Sequence, residues 1–230
     1  MRYLAMIPAR GGSKRIPRKN IKEFLGKPII AYSIEAALKS GVFDEVMVST
    51  DDEEIAEIAR QYGAKVPFMR DEKASDDFVH ADDLPKIVLD QYAQIGEKFD
   101  YVMMLFATAP FVTPEMIREA AQKIHETGAE ITVNVVPFSY PPQRGYLIRN
   151  GALVFQFPEY ERTRSQDLEK IYHDCGQFYF YNADMVLGNR PRNGIQHPIV
   201  VPEEFVQDID TESDWHLAEI KYKRFILGEE

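Results

Sequence analysis

A chain of 230 residues with 37 acidic against 27 basic side chains, a formal net charge of −10, has the wrong sign for a general nucleic-acid binder, whose surface must neutralise phosphates. Its hydrophobic fraction of 45% is ordinary for a globular protein and no stretch approaches the ~20 apolar residues of a membrane span. Met1-Arg2 leads straight into a strand-like run without a signal-peptide profile, so a soluble, cytoplasmic protein with no membrane partner is expected, and the single cysteine, Cys175, rules out an intrachain disulfide or a Cys-rich metal site.

The first element is an apolar run from Leu4 that breaks at Pro8 into ARGGSKRIPRKN. Gly11 and Gly12 let backbone N–H groups approach a ligand, while Arg10, Lys14, Arg15, Arg18 and Lys19 offset negative charge, a combination that suits a polyphosphate. Neither G-x-x-x-x-G-K-[ST] nor G-x-G-x-x-G is present, and Pro17 opposes a smooth turn directly into a helix. A solvated basic turn is the plain alternative; cations gathered into one loop of an acidic chain argue instead for a small polyanion.

Beyond the loop, Pro28 opens a helix to about Lys39, with Ile30, Ile34, Ala37 and Leu38 along one side and Ser40-Gly41 as its stop. Glu45 to Ser49 reads as a strand, Thr50-Asp51-Asp52 leads into the helix EEIAEIARQY, Gly63 ends it, and Lys65 to Phe68 reads as a short strand. Strands alternating with helices predict parallel βαβ units with the ligand at the carboxyl edge of the sheet. The phosphate loop, Thr50-Asp51-Asp52 and Arg70 would share that edge, with Asp52 either capping its helix or meeting the ligand. The polar stretch from Arg70 to Asp83 would wrap the site, His80 being a surface histidine or a substrate contact.

A helix from about Leu84 to Ile95 precedes Tyr101 to Phe106, which is apolar in both phases and suits a central strand buried on two faces. Thr113-Pro114 reads as a helix cap with proline at the first position, and Ile131 to Val136 as the next strand. From Pro137 to Glu169 the alternation lapses into prolines, glycines and short β-branched runs that suggest hairpins extending from the sheet. Strand character returns at Tyr172 to Phe180; His173 and Asp174, being adjacent, point to opposite faces and do not make a dyad. Near the end, Asp208 and Asp210 are two apart, so in an extended segment both carboxylates face one way while Ile209 turns inward, a way to present two oxygens to one Mg²⁺. The alternative is that Asp210 or Thr211 caps the last helix.

These residues meet a known family. IPARGGSKRIPRKN followed by Phe24, Gly26-Lys27-Pro28 and Ile30 resembles the opening of the CMP-sugar synthetases, the acylneuraminate cytidylyltransferases. FATAPF, where sialic-acid enzymes carry LLQPTSP, and HDCGQFYF, similar to a DAGQFYW run, move the resemblance toward the branch that activates pseudaminic acid. The resemblance implies an α/β fold, a Rossmann-like, mainly parallel sheet flanked by helices of the GT-A-like nucleotidyltransferase kind, as a single domain over 1–230. Within it, 137–169 would be a small β-rich extension that makes a homodimer and contributes to the partner's sugar pocket. It implies transfer of CMP from CTP to the anomeric hydroxyl of a nonulosonic acid, with Mg²⁺ held by Asp208 and Asp210. Arg10, Lys14 and Lys19 join those acids as the catalytic set. Ala9, Gly11, Gly12, Ser13, Asn20, Arg70, Ala107 and Thr108 would complete the nucleotide site, and Gln177, Tyr179, Arg162 and Arg164 the sugar site. N-acetylneuraminate, legionaminate or 3-deoxy-octulosonate as the acid, a nucleotide-binding regulator without turnover, and an aspartate-nucleophile phosphatase are the competing readings.

Overall fold

The computed structural model describes residues 1–70, 81–190 and 194–229; His80 and the polar stretch that follows Arg70 lie outside the described residues. Ten strands are numbered along the chain among the described residues: β1 (Tyr3–Pro8), β2 (Glu23–Phe24), β3 (Lys27–Pro28), β4 (Glu45–Ser49), β5 (Tyr101–Leu105), β6 (Ile131–Pro137), β7 (Tyr146–Arg149), β8 (Ala152–Phe155), β9 (Tyr172–Asn182) and β10 (Gln196–Val200). Six of them form one sheet in the order β10-β6-β9-β5-β1-β4. The pairs β1 with β4, β1 with β5 and β10 with β6 are parallel, as the βαβ alternation predicts. Strand β9 is inserted antiparallel between β5 and β6, which the sequence did not announce. The mainly parallel α/β class stands.

Two-fold alternation along β1 and β5 sorts their side chains onto two layers. Ala5, Ile7, Met103 and Leu105 pack with Ile30 and Ile34 of α1 (Ile29–Ser40), Ile55 of α2 (Glu53–Gln61) and Ile117 and Ile124 of α4 (Pro114–Thr127). Leu4, Met6, Val102 and Met104 face the other way, against Leu84, Val88, Leu89 and Tyr92 of α3 (Leu84–Gln94). Phe178 and Phe180 of β9 are fully buried in the first layer. Two further helices, α5 (Ala183–Val186) and α6 (Glu212–Tyr222), follow β9, and a π-helical turn over Lys223–Leu227 continues from α6.

A third apolar cluster decides where the site sits. Ile16 of the cationic loop, Phe24, Ile29, Phe111, Ile209 and Trp215 of α6 share it, with Ile16 and Ile209 at 0% and 1% exposure. Each fully buried isoleucine contributes roughly 1.5–3 kcal/mol, so the cluster ties the beginning of the chain to the segment between Asp208 and Asp210.

The expected strand at Lys65 to Phe68 is reduced to isolated parallel bridges, Met47 with Lys65 and Thr50 with Met69. Proline at position 67 cannot donate to a ladder, which explains the interruption. Within 137–169 the predicted hairpin is present as β7 and β8, turned through Asn150 (φ 52°) and Gly151 (φ 80°), the pair of positive angles that a two-residue hairpin turn requires. The hairpin lies apart from the main sheet and leaves Ile148 78% and Leu153 68% exposed. No helix among the described residues is long and apolar enough to cross a membrane.

Candidate active site

Strands β1, β4 and β5 run parallel and end side by side at Pro8, Ser49 and Leu105, so the loops that follow them share the carboxyl edge of the sheet. Ala9, itself buried, donates its N–H to the Ser49 carbonyl at 2.9 Å, which starts the cationic loop against β4. Gly11 donates its N–H to Asp51 Oδ1 at 3.0 Å. A Cβ on Gly11 would lie 2.6 Å from Asp52 Oδ2, so glycine is required there by the protein's own packing. Over Gly12 no such neighbour exists among the described residues: none of them lies within 4 Å of the corresponding position. Ser13 turns back to the Gly11 carbonyl at 3.1 Å, Ile16 plugs into the third cluster, and Lys19–Ile21 form a single 3₁₀ turn rather than a helix. The side-chain amide of Asn20, expected at a phosphate or ribose, is buried and donates to the Arg10 carbonyl at 2.9 Å; it braces the loop from within.

The Asp-x-Asp segment meets this loop directly. Lys19 Nζ is 2.7 Å from the Ile209 carbonyl and 3.5 Å from Asp210 Oδ1, and Arg15 Nη1 is 2.7 Å from Asp210 Oδ2. The cap of α6 falls to Thr211, whose Oγ accepts the Asp214 N–H at 3.3 Å while Asp214 Oδ2 accepts the N–H groups of Thr211 and Asp210. Capping therefore accounts for Thr211 and Asp214 and leaves the carboxylates of Asp208 and Asp210 outside it. Partial removal from water raises the Asp208 carboxyl above its ordinary value, Asp210 adds repulsion, and Lys19 opposes both. A cation bound across the two acids would relieve that repulsion. No group of three or more Asp, Glu, His and Cys able to hold a metal occurs among the described residues, so these two acids supply only part of a coordination sphere. That donor set fits Mg²⁺, which takes oxygen ligands and keeps waters and phosphate oxygens for the remainder.

The cations of the loop divide by task. Arg18, in the left-handed region at φ 55° and ψ 30°, a conformation costing a non-glycine residue about 1–2 kcal/mol, turns away to α2. There it pairs with both oxygens of Asp52 and with Glu54. Asp52 at the same time caps α2 by accepting the Ile55 N–H at 3.1 Å. The sequence placed Arg18 among the phosphate cations and left Asp52 as either a helix cap or a ligand contact; no local signal joined the two, because their contact bridges 34 positions.

Arg70 is anchored at the end of β4, donating from Nη2 to the Ser49 carbonyl at 2.6 Å. Burial holds its pKa below the usual guanidinium value, Asp51 acts against this and the nearby Arg10 with it, so Arg10, Asp51 and Arg70 crowd the same edge. Ala107 and Thr108 follow β5 there; Ala107 is buried, and Phe106 donates its N–H to the Gln177 carbonyl at 2.9 Å.

The expected sugar residues lie on two parts of the fold, Gln177 and Tyr179 on β9 and Arg162 and Arg164 on the extension. Gln177 is 2% exposed, its Oε1 accepting from Asn134 Nδ2 and its Nε2 donating to the Phe205 carbonyl at 2.7 Å. Its amide braces β9 against β6 and the approach to Asp208 instead of facing the cleft. The brace fills a β-bulge, for the register between β6 and β9 shifts between Val133 and Val135. Asn134, an amide inside a mostly apolar strand, was the available clue. Tyr179 donates its hydroxyl to Asp174 Oδ1 at 2.8 Å and packs edge-on to Phe106. His173 Nδ1 lies by the Asp174 carbonyl, not its carboxylate, so the two are no dyad. Arg162 and Arg164 are exposed on the extension. A cavity of about 370 Å³ beside Asp208 is lined by Ser139, His173, Asp174, Cys175, Gln207 and Lys221 among others, residues that the sequence reading did not group.

The profile of the family described as "Cytidylyltransferase" matches residues 4–216. A pseudaminic acid cytidylyltransferase of Campylobacter jejuni subsp. jejuni is 43% identical over 228 residues, which is 97% of either chain. A CMP-N,N'-diacetyllegionaminic acid synthase of Legionella pneumophila is 38% identical over 239 residues, 95% of either chain. Among solved structures, a CMP:2-keto-3-deoxy-manno-octonic acid synthetase complexed with CTP superposes with a TM-score of 0.69 at 18% identity, covering 96% of this chain and 98% of that one. At that identity the likeness speaks for the fold.

Proposed function

The chain belongs to the cytidylyltransferase family, and from that premise we propose that it joins CTP to a nonulosonic acid, pseudaminic acid foremost, to give the CMP-sugar and pyrophosphate. The observation that carries the reading is the meeting of Lys19 and Arg15 with Asp210, which puts a cationic glycine loop and an acid pair on one edge of the sheet. The order of identity, 43% to the pseudaminate enzyme and 38% to the legionaminate enzyme, favours the first acid.

In this reading the triphosphate lies over Gly12, where the backbone is open, with Arg10, Lys14 and Lys19 offsetting charge on the α-phosphate and the departing pyrophosphate. Arg70, Ala107, Thr108 and Ser13 border the nucleoside and phosphates. Asp208 and Asp210 would hold Mg²⁺, which when bound supplies Lewis acidity at a phosphoryl oxygen. The remaining work of the chain is to hold the sugar hydroxyl in line with the phosphorus and to keep water from competing. The polar cavity beside Asp208 is of a size suited to such a sugar, and its lysine, histidine and serine suit a carboxylate and hydroxyls.

A homodimer completes the proposal. The hairpin of β7 and β8 exposes Tyr146, Ile148 and Leu153, surface that a second copy would cover, and it would carry Arg162 and Arg164 toward the partner's sugar. A cytoplasmic location follows from the need for CTP. The test is pyrophosphate release with CTP, Mg²⁺ and pseudaminic acid: release must require the sugar and vanish in Asp210→Ala while circular dichroism stays native. Release without sugar, or near-normal release by a folded Asp210→Ala protein, contradicts the proposal.

A further inference from the structure

Two points of the cationic loop, Gly11 at its entrance and Arg18 at its exit, are fastened to the same dipeptide, Asp51-Asp52. At the entrance, the Gly11 N–H donates to Asp51 Oδ1 at 3.0 Å, and Gly11 lies so close to Asp52 that a methyl group there would sit 2.6 Å from Oδ2. At the exit, Arg18 Nη1 and Nη2 both donate to the Asp52 carboxylate, the second at 2.9 Å, and Nη2 reaches Glu54 Oε2 at 2.5 Å. Asp52 is itself immobilised as the cap of α2 by accepting the Ile55 N–H, and its own backbone N–H donates to Thr50 Oγ1 at 3.1 Å. The pair is bidentate but still solvated, with side-chain exposures of 38% for Arg18 and 22% for Asp52, so it fixes the geometry of the loop more than it adds to the stability of the fold.

We infer that Arg18 and Asp52 are positioning residues for the nucleotide: their bidentate pair clasps the two stems of the loop together, presenting Gly12 and the side chains of Lys14 and Lys19 in a ready arrangement, while Arg18 itself contributes no charge to the phosphates. The unusual backbone at Arg18 follows from this. The left-handed turn is what swings its guanidinium back across the loop to α2, and the ion pair compensates for the strain. The inference rests on the triphosphate reading of the loop. In physical terms, an unclasped loop samples other conformations, and a ligand that binds only the ready one sees its dissociation constant multiplied by the inverse of that population.

Asp52→Asn separates the clasp from the cap, because asparagine caps a helix as well as aspartate does but offers Arg18 no carboxylate. The experiment compares wild type, Asp52→Asn, Arg18→Gln and the double variant by calorimetric titration with CTP in Mg²⁺, by thermal melting, and by hydrogen exchange of the 10–19 peptide without nucleotide. Each single variant should weaken CTP about tenfold, ~1.4 kcal/mol, and speed exchange in the loop, with melting of Asp52→Asn close to wild type. The double variant should be no worse than either single one, since both remove the same contact. Unchanged exchange and unchanged affinity in Asp52→Asn would overturn the clasp. So would additive losses in the double variant, which would make Arg18 a direct phosphate ligand. Failure of the wild type to bind CTP at all would instead overturn the nucleotide reading, and the clasp with it.

Discussion

Gly11 and Gly12 are neighbours in sequence with different reasons for being glycine, and alanine scanning of the pair tests the loop's construction. In Gly11→Ala the new methyl would stand 2.6 Å from Asp52 Oδ2, 3.1 Å from its Cβ and 3.2 Å from its Cγ. Asp52 cannot swing aside freely, because Oδ1 holds the Ile55 N–H at 3.1 Å and both oxygens hold Arg18. Relief costs either the cap, about 1 kcal/mol, or an overpacked contact, about 1–3 kcal/mol. A loss of about 2 kcal/mol lowers the melting temperature of a chain this long by roughly 4–8 °C. Gly12→Ala meets none of the described residues within 4 Å and its backbone is not left-handed, so it should leave the melting temperature unchanged or raise it slightly. If the triphosphate approaches at Gly12, the silent substitution in melting becomes the damaging one in CTP titration. The assay is differential scanning fluorimetry with and without CTP. A Gly11→Ala protein that melts with the wild type, or a Gly12→Ala protein equally destabilised, would refute the reasoning.

The Asp208 carboxyl is raised by desolvation and by Asp210, so its protonated form is the one the fold favours. Its contribution to stability is therefore greatest at low pH and is lost as pH rises from the unfolded value through the raised folded one. Mg²⁺ needs the ionised form, so its affinity, read by calorimetry, should fall as pH drops through that raised value, and Asp208→Asn should remove this dependence. Asn134→Ala leaves Gln177 Oε1 and the Phe178 N–H without their buried partner and should cost about 2–4 kcal/mol, seen as a lower urea midpoint at unchanged slope. Ile148→Asp and Leu153→Asp lie on exposed surface of one copy and should barely alter its stability, yet should convert a dimer to monomers in sedimentation velocity. Cys175, buried and pushed up to about 12 by desolvation, should resist thiol reagents at neutral pH until the protein is unfolded.

Much of the sheet was readable because its signals are local. The apolar runs of β1 and β5 announce strands buried on both faces, Thr113-Pro114 starts α4 as expected, and Gly41 stops α1 in the left-handed conformation that glycine permits. Strand order and sense are not local. Nothing in HDCGQFYF tells whether β9 runs with or against its neighbours, and its bulge depends on Asn134, more than forty positions earlier. The site divides in the same way. The glycines, the cationic loop and the phase-matched acids could be located because spacing alone expresses their chemistry. Asn20, Gln177 and Arg18 have wall-building partners that the sequence did not announce, because a polar side chain near a site can serve either the ligand or the wall that holds the ligand. That choice is made by tertiary partners: the Arg10 carbonyl, Asn134 with the Phe205 carbonyl, and Asp52.

The most direct measurement is mass spectrometry of the purified protein incubated with CTP, Mg²⁺ and separate nonulosonic acids: pseudaminic, legionaminic, N-acetylneuraminic and 3-deoxy-octulosonic. A CMP-conjugate should form most rapidly from pseudaminic acid, with one pyrophosphate released for each molecule of product. CTP consumed without a conjugate, or bound with no conjugate from any acid, would contradict the proposal.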